Sequence, residues 1–112
     1  MPHIHELIDY TVVAFIVFKG KVLLVDHKKY DTWLPVGGHI ELDEDPEQAL
    51  YREIEEEAGL TQDEYEVFGE KQKIAGDETH PILNPQYMYS HGAGKNHVHV
   101  GMVYFARAKT GR

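Results

Sequence analysis

Residues 38–60 read GHIELDEDPEQALYREIEEEAGL, from Gly38 to Leu60. Asp45 can cap a helix here, Pro46 suits its first position, and Gln48 completes a D-x-x-Q capping box. Good helix formers continue to Ala58. Gly59 fits the left-handed residue that closes a helix, and Leu60 can fold back onto Ile54. At about 100° per residue, Leu50, Ile54 and Ala58 share one stripe that faces a core. Glu53, Glu56 and Glu57 fall on an adjacent face.

Those three carboxylates stand at i, i+3 and i+4, within about 6 Å of one another at the β-carbons. Like charges at that spacing repel, and they sit in the half of the helix where the macrodipole disfavours them. The plain alternative is a solvated acidic helix face. A local sequence that opposes its own fold, however, tends to mark a functional site. A divalent cation removes the conflict, since carboxylate oxygens are the ligands that hard Mg²⁺ or Mn²⁺ prefers.

The charge balance of the whole chain points to the same place. Its 112 residues carry 19 acidic and 11 basic side chains, a formal charge of −8. Glu41 to Glu57 hold nine acids against Arg52 alone, so nine minus one accounts for the excess. General solubility does not explain such concentration. With no basic stripe to neutralise phosphates, specific nucleic-acid binding is not expected. Absence of cysteine excludes disulfide scaffolds, thiolate zinc sites and cysteine nucleophiles. The longest apolar run, Val12 to Phe18, is too short to span a bilayer, and the N-terminus does not read as a signal peptide. The expectation is a single cytoplasmic domain over residues 1–112.

Outward from the helix, the chain reads as strands. Thr11 to Phe18, a Lys19-Gly20 turn and Lys21 to Asp26 predict a hairpin. Trp33 to Glu41 predicts a short strand broken by its Pro/Gly segment and then resumed. Tyr65 to Ile74 and His97 to Ala108 predict two more, and Gly76 to Asn96 a long loop with a short strand inside it. One helix among several strands makes an α+β domain.

Gly38, Glu44, Arg52, Glu53, Ile54, Glu56, Glu57, Gly59 and Leu60 follow the spacing G-x5-E-x7-R-E-U-x-E-E-x-G-U, with U a bulky apolar residue. This pattern resembles the signature of the Nudix hydrolases at all nine of its fixed positions. Trp33, Leu34, Pro35, Gly37 and Gly38 resemble that family's approach to its motif. The resemblance implies a mixed β-sheet with packed helices, an α/β/α sandwich. It implies a hydrolase cleaving a nucleoside diphosphate linked to another group, with Mg²⁺ or Mn²⁺ as cofactor. By the same resemblance, Glu53, Glu56 and Glu57 are metal ligands joined by a carbonyl of Gly37 or Gly38. Glu44 and Arg52 form a pair that orients them, and together these charged residues make up the catalytic set. A non-catalytic nucleotide-binding module, or an inactive fragment, is the alternative of a different class.

The family's domains usually continue with another strand and a second long helix, whereas this chain stops at Thr110-Gly111-Arg112. The domain therefore reads as C-terminally short. One sheet face is expected to expose Val103 and Phe105 and to invite homodimerisation. Tyr87, Tyr89 and His91 are candidate substrate contacts, able to stack on a base or hydrogen-bond to it. His97-x-His99 and His3-x-His5 place imidazole pairs at strand spacing, but each supplies only half of a four-ligand zinc site, so a polar strand face or substrate contact is the better reading. Gly92 to Asn96 lacks the leading glycine and the Ser or Thr of a phosphate loop, and reads as a turn.

Overall fold

The computed structural model describes residues 8–27, 32–72, 76, 79–92 and 97–109. Two eleven-residue strands, β1 (Ile8–Phe18) and β8 (Val98–Ala108), form its spine. They pair in parallel from Ile8↔Val98 to Val17↔Arg107. Shorter antiparallel strands share the outer edge of each. β2 (Lys21–Val22) and β5 (Val36–His39) lie along β1, while β6 (Tyr65–Val67) and β7 (Tyr87–Gly92) lie along β8. β3 (Val25–His27) and β4 (Thr32–Leu34) make a separate two-stranded sheet.

The expected hairpin turns as predicted, with Lys19 at φ 50° and Gly20 at φ 78°, the positive angles a tight two-residue turn requires. Its second arm is shorter than expected. β5 already occupies the β1 edge from Thr11 to Ala14, so the returning chain pairs only at Lys21–Val22 and then leaves for β4. Likewise β6 stops at Val67 rather than running to Ile74. Gly69, at φ 135°, turns the chain away, and β7 takes the β8 edge beyond it, from Val98 to Val103. Residues 73–75 lie outside the described residues, as do the His3-x-His5 pair and residues 93–96 of the Gly-rich turn.

The helix α1 (Pro46–Ala58) has the expected ends: Asp45 accepts from the Gln48 amide, both halves of the capping box are present, and Gly59 closes it at φ 70°. It packs on one sheet face. Ala49, Leu50 and Ile54 meet Val12, Ala14, Ile16, Val36, Tyr104 and Ala106 in the buried core, which Leu60 and Tyr65 complete. The predicted stripe was too narrow on one side, since Ala49 and Glu53 are also buried. Among the described residues the helical layer consists of α1 and one 3₁₀ turn (Gln62–Glu64), and no helix is long and apolar enough to cross a membrane.

On the opposite sheet face, Val103 is not exposed as expected. It sits between Val13 on β1 and Tyr87 on β7 and is only 1% exposed, whereas Phe105 keeps 36% of its surface, with the rings of Phe15 and Tyr87 about 6 Å away. A cleft of about 540 Å³ opens on this face.

Candidate active site

Strand pairing sets which way each motif residue faces. Gly38 pairs with Val12, whose side chain lies under the helix, and a Cβ at Gly38 would overlap the Glu53 carboxylate. Glycine is therefore what lets α1 approach β5 closely enough for that carboxylate to lie against the backbone. Next to it, the Gly37 N–H donates to Glu57 Oε1 at 2.8 Å. A Cβ at Gly37 would overlap the Val12 carbonyl oxygen. Both glycines also line the cleft on the far face. The glycine pair is thus a wall shared by the carboxylate face of α1 and the cleft.

Arg52 organises the acidic side. Its guanidinium donates to both oxygens of Glu44, at 2.6 Å to the nearer, and to the carbonyl of His39 at 3.0 Å. Nη1 reaches Glu53 and Glu56, each at 3.1 Å. Glu44 in turn accepts from the Glu41 amide, which fastens the loop ahead of the helix. The Arg52 hydrogen bond holds the Glu44 carboxyl below its usual range, and Glu44 in the same way raises Arg52. Burial pushes Glu53 up; the Arg52 charge opposes this, and the Glu57 charge adds to it. Glu56 is the exposed member of the three. The structure thus brings Glu44, Arg52, Glu53, Glu56, Glu57, Gly37 and Gly38 into one neighbourhood.

This donor set fits a hard cation. It consists of carboxylate oxygens crowded on one helix face, beside a strand backbone stripped of side chains. Arg52 holds two of the three carboxylates, so a metal at Glu53 and Glu56 would compete with its Nη1.

Of the expected substrate contacts, Tyr87 and Tyr89 line the cleft together with Thr11, Phe15 and Val103. The Tyr89 ring lies over Gly101, where a Cβ would overlap it. His91 is exposed further along β7, opposite His99, and does not line the cleft. Three contributors escaped the sequence reading. Gly101 seats Tyr89, and only its register with β7 reveals that. Glu47 accepts from the Leu83 amide and the Tyr51 hydroxyl, tying the segment before β7 to the helix. His39 lies inside the motif, and alternation along β5 turns it towards the cleft.

This chain belongs to the NUDIX domain family, whose model matches residues 8–112. A NUDIX-family hydrolase from Clostridium perfringens is similar in structure, with a TM-score of 0.71 at 35% identity, covering 90% of this chain and 69% of that one. The Ap4A hydrolase of C. elegans shares the fold, with a TM-score of 0.66 at 22% identity over 91% of this chain and 69% of its own. An RNA pyrophosphohydrolase of Pseudomonas putida is 46% identical over 48 residues, which is 43% of this chain and 30% of the relative. The matched stretch thus spans less than a third of the length of that curated relative.

Proposed function

We propose that this chain is a Mg²⁺- or Mn²⁺-dependent hydrolase that cleaves the diphosphate linkage of a nucleoside diphosphate joined to another group. The observation that carries this reading is the close approach of Gly37 to Glu57 and of Gly38 to Glu53, which sets the carboxylate face of α1 across the glycine pair from a cleft of substrate size. Glu53, Glu56 and Glu57, with a glycine-pair carbonyl, would hold the metal. An ion held there would supply positive charge to offset the acidic face and the substrate's phosphates, and would lower the pKa of a nearby water.

The remaining work falls to the chain's own groups. Arg52 and Glu44 fix the acidic loop against the helix, so the carboxylates do not have to be ordered on substrate arrival. Glu53 and Glu56, both in contact with Arg52 Nη1, are candidates to take the water's proton, alongside a carboxylate from a later loop. Tyr87 and Tyr89 offer ring faces and hydroxyls to a base in the cleft. A single-domain, cytoplasmic enzyme belongs to this reading.

The test is phosphate and nucleotide release from a panel with Mg²⁺: deoxynucleoside triphosphates, oxidised nucleotides, ADP-ribose, dinucleoside polyphosphates, NADH and 5′-triphosphorylated RNA. The relatives' names supply the dinucleoside and RNA members. Metal-dependent release from at least one member is expected. Binding without release from any would replace the enzyme by a nucleotide-binding module.

A further inference from the structure

Away from the helix carboxylates, three neighbouring strands bring a second set of ligating groups together. Asp9 on β1 pairs with His99 on β8, and His39, at the end of β5, pairs with Thr11 two residues along β1. His97 lies two residues before His99. In-register partners and residues two apart share a sheet face, so all four side chains are on the cleft side. Asp9 Oδ2 is 2.7 Å from His97 Nε2, 3.7 Å from His39 Nε2 and 3.8 Å from His99 Nε2. One ligand atom each from Asp9, His39 and His99 fit within 4.8 Å of one another.

We propose that Asp9, His39 and His99 bind a transition-metal ion of the Zn²⁺ class, with His97 as the residue that positions Asp9. The donor chemistry differs from that of α1: imidazole nitrogens suit Zn²⁺ and its neighbours, whereas Mg²⁺ keeps to oxygen. A tetrahedral ion with bonds of about 2.05 Å has ligand atoms about 3.4 Å apart, close to the two longer distances here. The Asp9 carboxylate among these rings also decides the sign of the ligand, because it would repel a bound phosphate and attracts a cation. Three protein ligands leave a fourth position at the cleft wall that His39 and His99 help to form. The 2.7 Å contact from His97 holds the carboxylate in place, as outer partners of metal ligands do.

Isothermal titration of the chelator-treated full chain with Zn²⁺ tests the site, with Co²⁺ absorption reporting tetrahedral ligation. One equivalent is expected to bind at this site, apart from any that the α1 carboxylates take. His99→Ala, His39→Ala and Asp9→Asn are each expected to weaken it by roughly 10-fold or more, and His97→Ala by less. Glu56→Gln and Glu57→Gln are expected to leave Zn²⁺ affinity unchanged, which separates this ion from the one on α1. His39→Ala, an exposed strand-end change, carries the test even if His99→Ala disturbs the β1–β8 seam. No saturable binding would overturn the proposal. So would equal affinity in His39→Ala and wild type, or loss confined to the glutamate variants.

Discussion

Gly38 and Glu53 occupy complementary space: the carboxylate of one fills the volume that a side chain on the other would need. Gly38→Ala is therefore expected to push the Glu53 carboxylate away from β5 while leaving the core beneath α1 in place. Mg²⁺-dependent turnover should fall by at least ~10-fold, because misplaced catalytic groups lose rate steeply. The stability cost should stay within ~1–3 kcal/mol. Steady-state kinetics and a thermal melt on the same sample separate the two effects.

Glu53 itself trades stability for its place in the site. Burial raises its carboxyl above the unfolded value, so the fold favours the protonated form and loses that contribution as pH rises through the folded pKa. At neutral pH the ionised group works against the metal-free fold. Glu53→Gln is expected to raise Tm in chelator and to abolish metal-dependent turnover. A lower Tm would show that the Arg52 contact outweighs burial.

The Glu44 shift runs the other way. Arg52 holds this carboxyl low, so its contribution is present above the ordinary glutamate pKa of 4.5 and is lost as pH falls from there through the depressed folded value. Arg52→Lys cannot reproduce the forked contact and is expected to cost ~1–2 kcal/mol at pH 7. It is also expected to shrink the loss of stability below pH 4.5. Chemical denaturation across that range measures both.

Tyr89 and Gly101 give a handle on the cleft that leaves the carboxylates alone. Gly101→Ala is expected to displace the exposed Tyr89 ring. If that ring stacks on a base, KM should rise by roughly 10-fold with kcat little changed, as loss of base stacking worth ~1–3 kcal/mol predicts. Unchanged KM would remove Tyr89 from the substrate contacts.

The sequence exposed the helix and both its ends, because caps and closing glycine are local signals between Asp45 and Leu60, and it exposed all of the buried face but Ala49 and Glu53. It also exposed the carboxylate set, whose members lie within one and a half turns. Strand lengths were less legible. Whether Lys21 to Asp26 stays on β1, or Tyr65 to Ile74 on β8, depends on competition for a shared edge by β5 and β7, which no local pattern records. The same limit hid Asp9 beside His97, 88 residues apart, and the His39 ring beside that of His99. The close fit of Glu53 to Gly38 and of Tyr89 to Gly101 likewise appears only in register.

The −8 charge now resolves into an acidic loop and helix face arranged around Arg52 and beside the glycine pair. The most direct test of that account is phosphate or nucleotide release by wild type, Glu56→Gln and Glu57→Gln as Mg²⁺ is titrated from chelator upwards. Wild type is expected to turn over only with metal, and each variant to lose at least ~10²-fold at saturating Mg²⁺. Near-wild-type release by both variants, or release in chelator, would contradict it.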